Sequence, residues 1–145
     1  LDLEITLGAV GESYAQLARA QRRLRGRDAM QPGRISAPQV NLLRPLAERG
    51  PMSSGQLAEA AGLTPATTTH MLDQLAAAGI VRRERQEHDR RVVITELTER
   101  GEHVLADRLE EFKLAWGTAL AAFNPEELVL AREVLDAIAR FVDDL

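Results

Sequence analysis

Apolar residues recur at Leu3, Leu7, Val10, Tyr14, Leu17 and Leu24, with Gln21 interrupting the series. Alternating steps of four and three put them on one side of a helix, as a seam of the coiled-coil kind. Arg19, Arg22, Arg23, Arg25 and Arg27 crowd the end of that helix, either as solvated helix-end charges or as a phosphate-contacting cluster. Pro32 and Gly33 then break the chain. The next start is Ser36-Ala37-Pro38-Gln39, an S-x-x-Q capping box with Pro in the first turn, leading into Val40, Leu43, Leu46 and Ala47. Gly50 and Pro51 stop that helix. A second box, Ser53-Ser54-Gly55-Gln56, opens a short helix from Gln56 to Ala61, which Gly62 closes where a left-handed residue is wanted.

Thr64 and Pro65 are the N-cap and first residue of a further helix, predicted to reach Ala78 and to stop at Gly79. Two helices joined by about three residues around Gly62 make a helix-turn-helix. On the second of them Leu63, Thr68, Met71, Leu72 and Leu75 share the side that packs inward, and Ala66, Thr67, His70 and Gln74 share the other. A merely solvated face would ordinarily carry Glu and Lys. Small and polar side chains instead let a helix backbone approach a major groove and offer donors and acceptors to base edges.

After Gly79 the run 80–85 is followed by a polar tip, Gln86 to Arg90, and by the β-branched run 91–97, which together predict a two-stranded hairpin. From Arg82 to Arg91 there are five Arg against three acids. A basic hairpin directly after a helix-turn-helix is a wing, whose arginines are attracted to a narrow minor groove. Residues two apart on a strand share a face, so Asp89 is placed to hold the guanidinium of Arg91; an incidental surface pair is the alternative.

In the C-terminal third, Thr98 caps a helix with Glu99 and Glu102 in its first turn, and Leu105, Leu109, Phe112, Trp116, Ala119 and Phe123 continue at four-three spacing. Asn124, Pro125 and Glu127 start another helix, carrying Leu128, Ala131, Leu135, Ile138 and Val142. These stripes either cover their own core or meet a partner chain, and a small winged domain does not need three long flanking helices to fold. The expected fold is therefore mainly α with a small β-hairpin wing. In one domain, 1–145, a winged helix-turn-helix at 36–97 is flanked by an N-terminal dimerisation helix (1–30) and C-terminal dimerisation helices (98–145).

Charge changes this picture only when it is divided. The 145 residues carry a net −4, which by itself argues against a nucleic-acid partner. Residues 1–95 hold 13 Arg and 10 acids, a net of +3, whereas residues 96–145 hold 5 basic residues and 12 acids, a net of −7. All the basic residues except Lys113 are Arg, which suits phosphates and guanine edges, although a coding sequence rich in G and C would give the same bias. No Cys is present, which excludes disulfides, thiolate metal sites and a thiol redox switch. His70, His88 and His103 stand at no metal-ligand spacing, so no metal or cofactor is expected. No apolar run approaches the roughly 18 residues needed to cross a bilayer, and the first residues lack the basic flank of a signal peptide, so a cytoplasmic protein is expected.

From Ser36 to Gly101 the chain resembles the MarR (multiple antibiotic resistance regulator) family. The resemblance rests on Leu63-Thr64-Pro65-Ala66-Thr67-Thr68-Thr69, Leu75, Gly79-Ile80-Val81-Arg82-Arg83, Asp89-Arg90-Arg91 and Leu97-Thr98-Glu99-Arg100-Gly101, taken in order and spacing. It implies a transcriptional regulator acting as a homodimer, with the first and last helices at the dimer interface and two winged domains reading a pseudo-palindromic operator in double-stranded DNA. It also implies repression released by a small aromatic or anionic effector bound where the dimer helices meet the DNA-binding domain. By position, Thr64, Pro65, Thr67, Thr69 and His70 match recognition-helix residues, Arg91 the wing arginine and Asp89 its anchor. With the outward helix face and the basic wing, the residues expected to contact DNA are Ser53, Thr64, Pro65, Ala66, Thr67, Thr69, His70, Gln74, Arg82, Arg90 and Arg91. Ala66, where the family commonly has a hydroxyl, and His70, where it commonly has a longer basic residue, depart from the pattern. For Tyr14 and Trp116 core packing is expected, with a place in the effector pocket the alternative. Two competing readings remain: a winged-helix protein-interaction module without specific DNA binding, and an enzyme. The second lacks a nucleophile with a base at usable spacing, a phosphate-binding glycine loop and an HExxH motif.

Overall fold

The computed structural model describes residues 2–28 and 34–145. In chain order the elements are α1 (Leu3–Asp28), α2 (Ala37–Arg49), β1 (Met52–Ser53), α3 (Ser54–Ala61), α4 (Pro65–Ala77), β2 (Val81–Arg85), β3 (Val93–Leu97), α5 (Glu99–Ala119) and α6 (Pro125–Asp143). The expected break at Pro32 and Gly33 lies outside the described residues. The architecture is mostly helical with a small antiparallel sheet, and the chain forms two compact units, Leu1–Arg108 and Leu109–Leu145.

In the first unit the helix starts are set by the predicted caps. Ser36 Oγ accepts from the Gln39 N–H at 3.3 Å while the Gln39 side chain accepts from the Ser36 N–H at 2.8 Å. Ser53 and Gln56 repeat the exchange at 3.2 and 2.9 Å, so α3 begins at Ser54, two residues before the predicted start. Gly62 ends α3 at φ 63° and Gly79 follows α4 at φ 72°, left-handed positions that a side chain would strain.

The core gathers around α2, which touches α1, α3 and β3. Val40, Leu42, Leu43, Leu57, Leu72, Leu75 and Leu105 are all essentially without solvent contact. The expected stripe of α2 needs correction. Ala47 is exposed, whereas Leu42 and Pro45 are buried, because α2 is covered from more than one side and a single-faced periodicity does not describe it.

The sheet has three strands in the order β1-β3-β2, not the two of the predicted hairpin. β1 is only two residues long and pairs Met52 with Thr95 and Ser53 with Ile94. The extended backbone that Ser53 needs as an N-cap, at φ −71° and ψ 157°, is also what lets it pair as a strand. The hairpin registers Val81 with Leu97 through Arg85 with Val93, and its strands begin one and two residues later than the runs 80–85 and 91–97 suggested. Met52, Thr95 and Arg83 lie abreast across the three strands and face the helices.

The far end of the wing is locked to the start of α5. Thr98 Oγ1 donates to the Gly79 carbonyl at 2.6 Å and accepts from the Gly101 N–H at 3.0 Å, while the Thr98 N–H donates to the Ile80 carbonyl at 3.1 Å. A Cβ on Gly101 would lie 1.9 Å from the Ile80 oxygen, so only glycine fits that crossing. Further along α5 the buried Arg108 donates from Nε to the Ile35 carbonyl at 3.2 Å.

The second unit holds the remainder of α5 and all of α6. Asn124 and Glu127 form the predicted capping box, at 2.9 and 2.8 Å. None of the residues of α6 is buried in the single chain, and its large apolar side chains except the half-buried Ile138, with those of α1, are open to solvent. Tyr14 and Trp116 are 42% and 61% exposed, so neither packs into a core of one chain, contrary to the core packing expected of both. No described helix is long and apolar enough to cross a membrane.

Candidate nucleic-acid interface

The N-terminus of α4 is built by threonines. Thr64 Oγ1 accepts from the Thr67 N–H at 3.2 Å and donates its own proton to Thr67 Oγ1 at 2.9 Å. Thr68 is completely buried and donates to the Thr64 carbonyl at 3.0 Å. Three successive threonines are poor helix formers in isolation, but two hydroxyls and the Pro65 ring hold the first turn, and Met71, Leu72 and Leu75 bury the inner face. The outer face carries Ala66, Thr67, His70 and Gln74, all exposed, as the sequence periodicity predicts, and Thr64, Pro65 and Thr69 are exposed beside them. Gln74 Nε2 lies 3.3 Å from His70 Nε2.

The wing supplies a second exposed surface. Residues 86–92 form its tip, closed by the Gln86 N–H on the Val92 carbonyl and the Val92 N–H on the Asp89 carbonyl, both at 3.0 Å. Asp89 Oδ1 accepts from the backbone N–H of Arg91 at 3.1 Å and from its Nε at 3.2 Å, leaving the Arg91 side chain 92% exposed. The predicted anchor is thus present, but its geometry comes from a turn rather than from two residues on one face of a strand. Arg90 is exposed, and its carbonyl accepts from Arg85 Nη1 at 3.1 Å, which ties the tip to β2.

Two of the expected residues sit differently from the rest. Ser53 is partly buried, and its hydroxyl serves the N-terminus of α3. The guanidinium of Arg82 lies between Glu96 and Glu84, in contact with the first and 3.5 Å from the second, so its charge is largely offset within the sheet. The structure also brings together a pair absent from the sequence reading: Arg83 of β2 meets Asp73 of α4. Strand alternation contained the clue, since Arg83 shares its face with the buried Val81 and a charge facing inward needs a partner. Among the described residues no three His, Asp or Glu side chains converge as metal ligands.

Comparison with known proteins agrees with this architecture. The MarR family model matches residues 35–93, the span from the start of α2 into β3. The HTH-type transcriptional regulator YfiV of Bacillus subtilis is 31% identical over 110 residues, covering 76% of this chain and 69% of that protein. A MarR family protein from Bacillus stearothermophilus, 27% identical, superposes with a TM-score of 0.71 over 99% of both chains. FabT of Streptococcus pneumoniae, solved in complex with DNA, shares the fold at 20% identity, with a TM-score of 0.73 over 95% of this chain and 98% of its own. With its helix-turn-helix, its wing and these relatives, the chain belongs to the MarR family of transcriptional regulators.

Proposed function

We propose that the protein is a homodimeric repressor that reads a pseudo-palindromic operator in duplex DNA and is released by a small aromatic or anionic effector. The observation that carries this reading is the pairing of two exposed surfaces on elements packed against each other. The small, polar outer face of α4 is held to the wing by Asp73–Arg83, and the wing tip presents an Arg91 steadied by Asp89. The FabT complex, with the same fold, supports a DNA partner.

In this reading α4 enters the major groove. Ala66 admits its backbone, Thr69, His70 and Gln74 face base edges or phosphates, and Thr64, Pro65 and Thr67 bring the helix N-terminus to a phosphate. Ser53 does the same at the start of α3. Arg91 and Arg90 reach the flanking minor groove, while Arg82, already offset by two carboxylates, contributes least. The exposed apolar stripes of α1 and α6 support a dimer, since such extended patches mark interaction surfaces. Two-fold symmetry then spaces the recognition helices by about 34 Å, one turn of B-DNA. The effector acts by favouring another spacing of the two DNA-reading halves. The protein performs no catalysis and works in the cytoplasm.

Fluorescence anisotropy with DNA from upstream of its own gene, beside a scrambled duplex and over several salt concentrations, tests the reading. The expected result is sequence-specific binding whose affinity falls steeply with salt, by roughly 0.9 log units per neutralised phosphate per log unit of salt. Arg91→Ala weakens that binding by about tenfold and leaves the dimer intact. No binding even at low salt points instead to a protein-interaction module.

A further inference from the structure

Ala66, His70 and Gln74 follow one another at four-residue steps along the outer face of α4, so they form one row. Within that row the two longer side chains are coupled, with Gln74 Nε2 3.3 Å from His70 Nε2. An amide nitrogen can only donate, so in this orientation of the amide the ring nitrogen that faces it must accept, which requires the tautomer with its proton on Nδ1. Neither group has a structural duty that explains the contact. The hydroxyls of Thr64 and Thr67 serve the helix cap, Thr68 serves the Thr64 carbonyl, and both His70 and Gln74 are exposed.

The consequence lies in what the amide has left to offer. A primary amide has two N–H groups, one on the same side as its oxygen and one pointing away. When His70 takes the N–H that points away from the oxygen, Gln74 presents its remaining donor and its acceptor side by side. In the major groove adenine shows the complementary pair, the N7 acceptor beside the N6 donor, whereas guanine shows two acceptors, N7 and O6. Ala66, one turn from His70 and two from Gln74 in the same row, adds no bulk that would keep the helix off the base edges.

We infer that Gln74 is an adenine-reading residue and that His70 is a positioning residue that fixes the orientation of its amide, so that each half-site carries an A·T pair beneath α4. This inference rests on the DNA-reading function proposed above. The positional claim differs from phosphate binding, because it predicts discrimination at one base pair with no change in the salt dependence.

Selection of the full-length protein against a pool of randomised duplexes tests it, followed by anisotropy on the selected duplex and on single base-pair variants. The wild type is expected to favour adenine over guanine at one position per half-site by about tenfold, within the range of a bidentate amide contact. Gln74→Ala removes that preference at that position alone. His70→Leu, which keeps Gln74, reduces the preference at the same position. His70→Gln, which restores an acceptor oxygen, recovers most of it, and the slope of affinity against salt is the same in all four proteins. Guanine enriched at the Gln74-dependent position would mean that the amide is turned over, and would overturn the inference. So would a selected sequence indifferent to Gln74, or His70→Leu acting at a different base pair. If the wild type enriches no sequence at all, the DNA-reading function itself fails and this inference falls with it, an outcome distinct from a selected operator that ignores Gln74.

Discussion

The helices α2 and α6 carry apolar residues at similar helical spacings and meet opposite fates in the single chain. Leu42 and Leu43 of α2 have no solvent exposure, while Leu130 and Phe141 of α6 are 61% and 62% exposed. A hydrophobic period therefore fixes which side chains share a face but not what covers the face. Around α2 the cover is present in the same chain, as α1, α3 and β3. Along α6 the apolar face is broad, with Leu130, Val134 and Phe141 beside the Leu128, Leu135 and Val142 row, and in the proposed dimer a second copy supplies the cover.

The largest effect expected from breaking this contrast is on the α2 side. Leu42→Ala removes a side chain with no exposure from a packed centre, and urea denaturation at fixed protein concentration should show a loss of about 2–5 kcal/mol. Gly101→Ala comes next, with a loss of about 1–3 kcal/mol in the same assay. Its new methyl group collides with the Ile80 carbonyl, and backbone yields less readily than a flexible side chain. A Gly101→Ala protein as stable as the wild type would show that the junction of wing and α5 is looser than its Thr98 hydrogen bonds indicate.

Substitution in α6 should act on assembly instead. Leu135→Glu places a charge in the centre of the exposed stripe, and light scattering during gel filtration should show the mass fall from dimer to monomer at micromolar concentration, because an unpaired carboxylate opposes burial. The wing need not unfold, since Leu135 is 48% exposed in the single chain. A Leu135→Glu dimer as tight as the wild type would remove α6 from the interface.

The same distinction decides how much of the molecule was legible in its sequence. Caps were legible because they are local: Ser36 with Gln39, Ser53 with Gln56 and Asn124 with Glu127 form from residues three apart. The exposed row of α4 was legible for a similar reason, since one face of that helix is fixed by four apolar or buried positions. What escaped depends on contacts distant in sequence. β1 has too few residues to show a period, Leu42 and Pro45 are buried by elements on a second side of α2, and Asp73 meets Arg83 only once α4 and β2 have packed. The glycine of the Leu97-Thr98-Glu99-Arg100-Gly101 segment was recognisable as a pattern, but its cause, a backbone crossing at Ile80, is visible only in three dimensions.

The smallest expected effect is also the sharpest control on α6. Val129 is 52% exposed, close to the value for Leu135, so exposure alone does not separate the two. Their faces do. Steps of three, four and seven from Val129 reach Glu126, Arg132, Glu133 and Asp136, which places it among charged residues, whereas the same steps from Leu135 reach Leu128, Ala131, Ile138, Ala139 and Val142, with Arg132 alone charged. If helical phase decides which part of α6 a second copy covers, Val129→Lys should leave the dimer mass unchanged under the conditions that dissociate Leu135→Glu. Dissociation by both substitutions would mean that α6 is covered all round, with a partner reaching its charged face as well. Because both changes add one charge to the same helix, the pair separates the position of that charge from its presence.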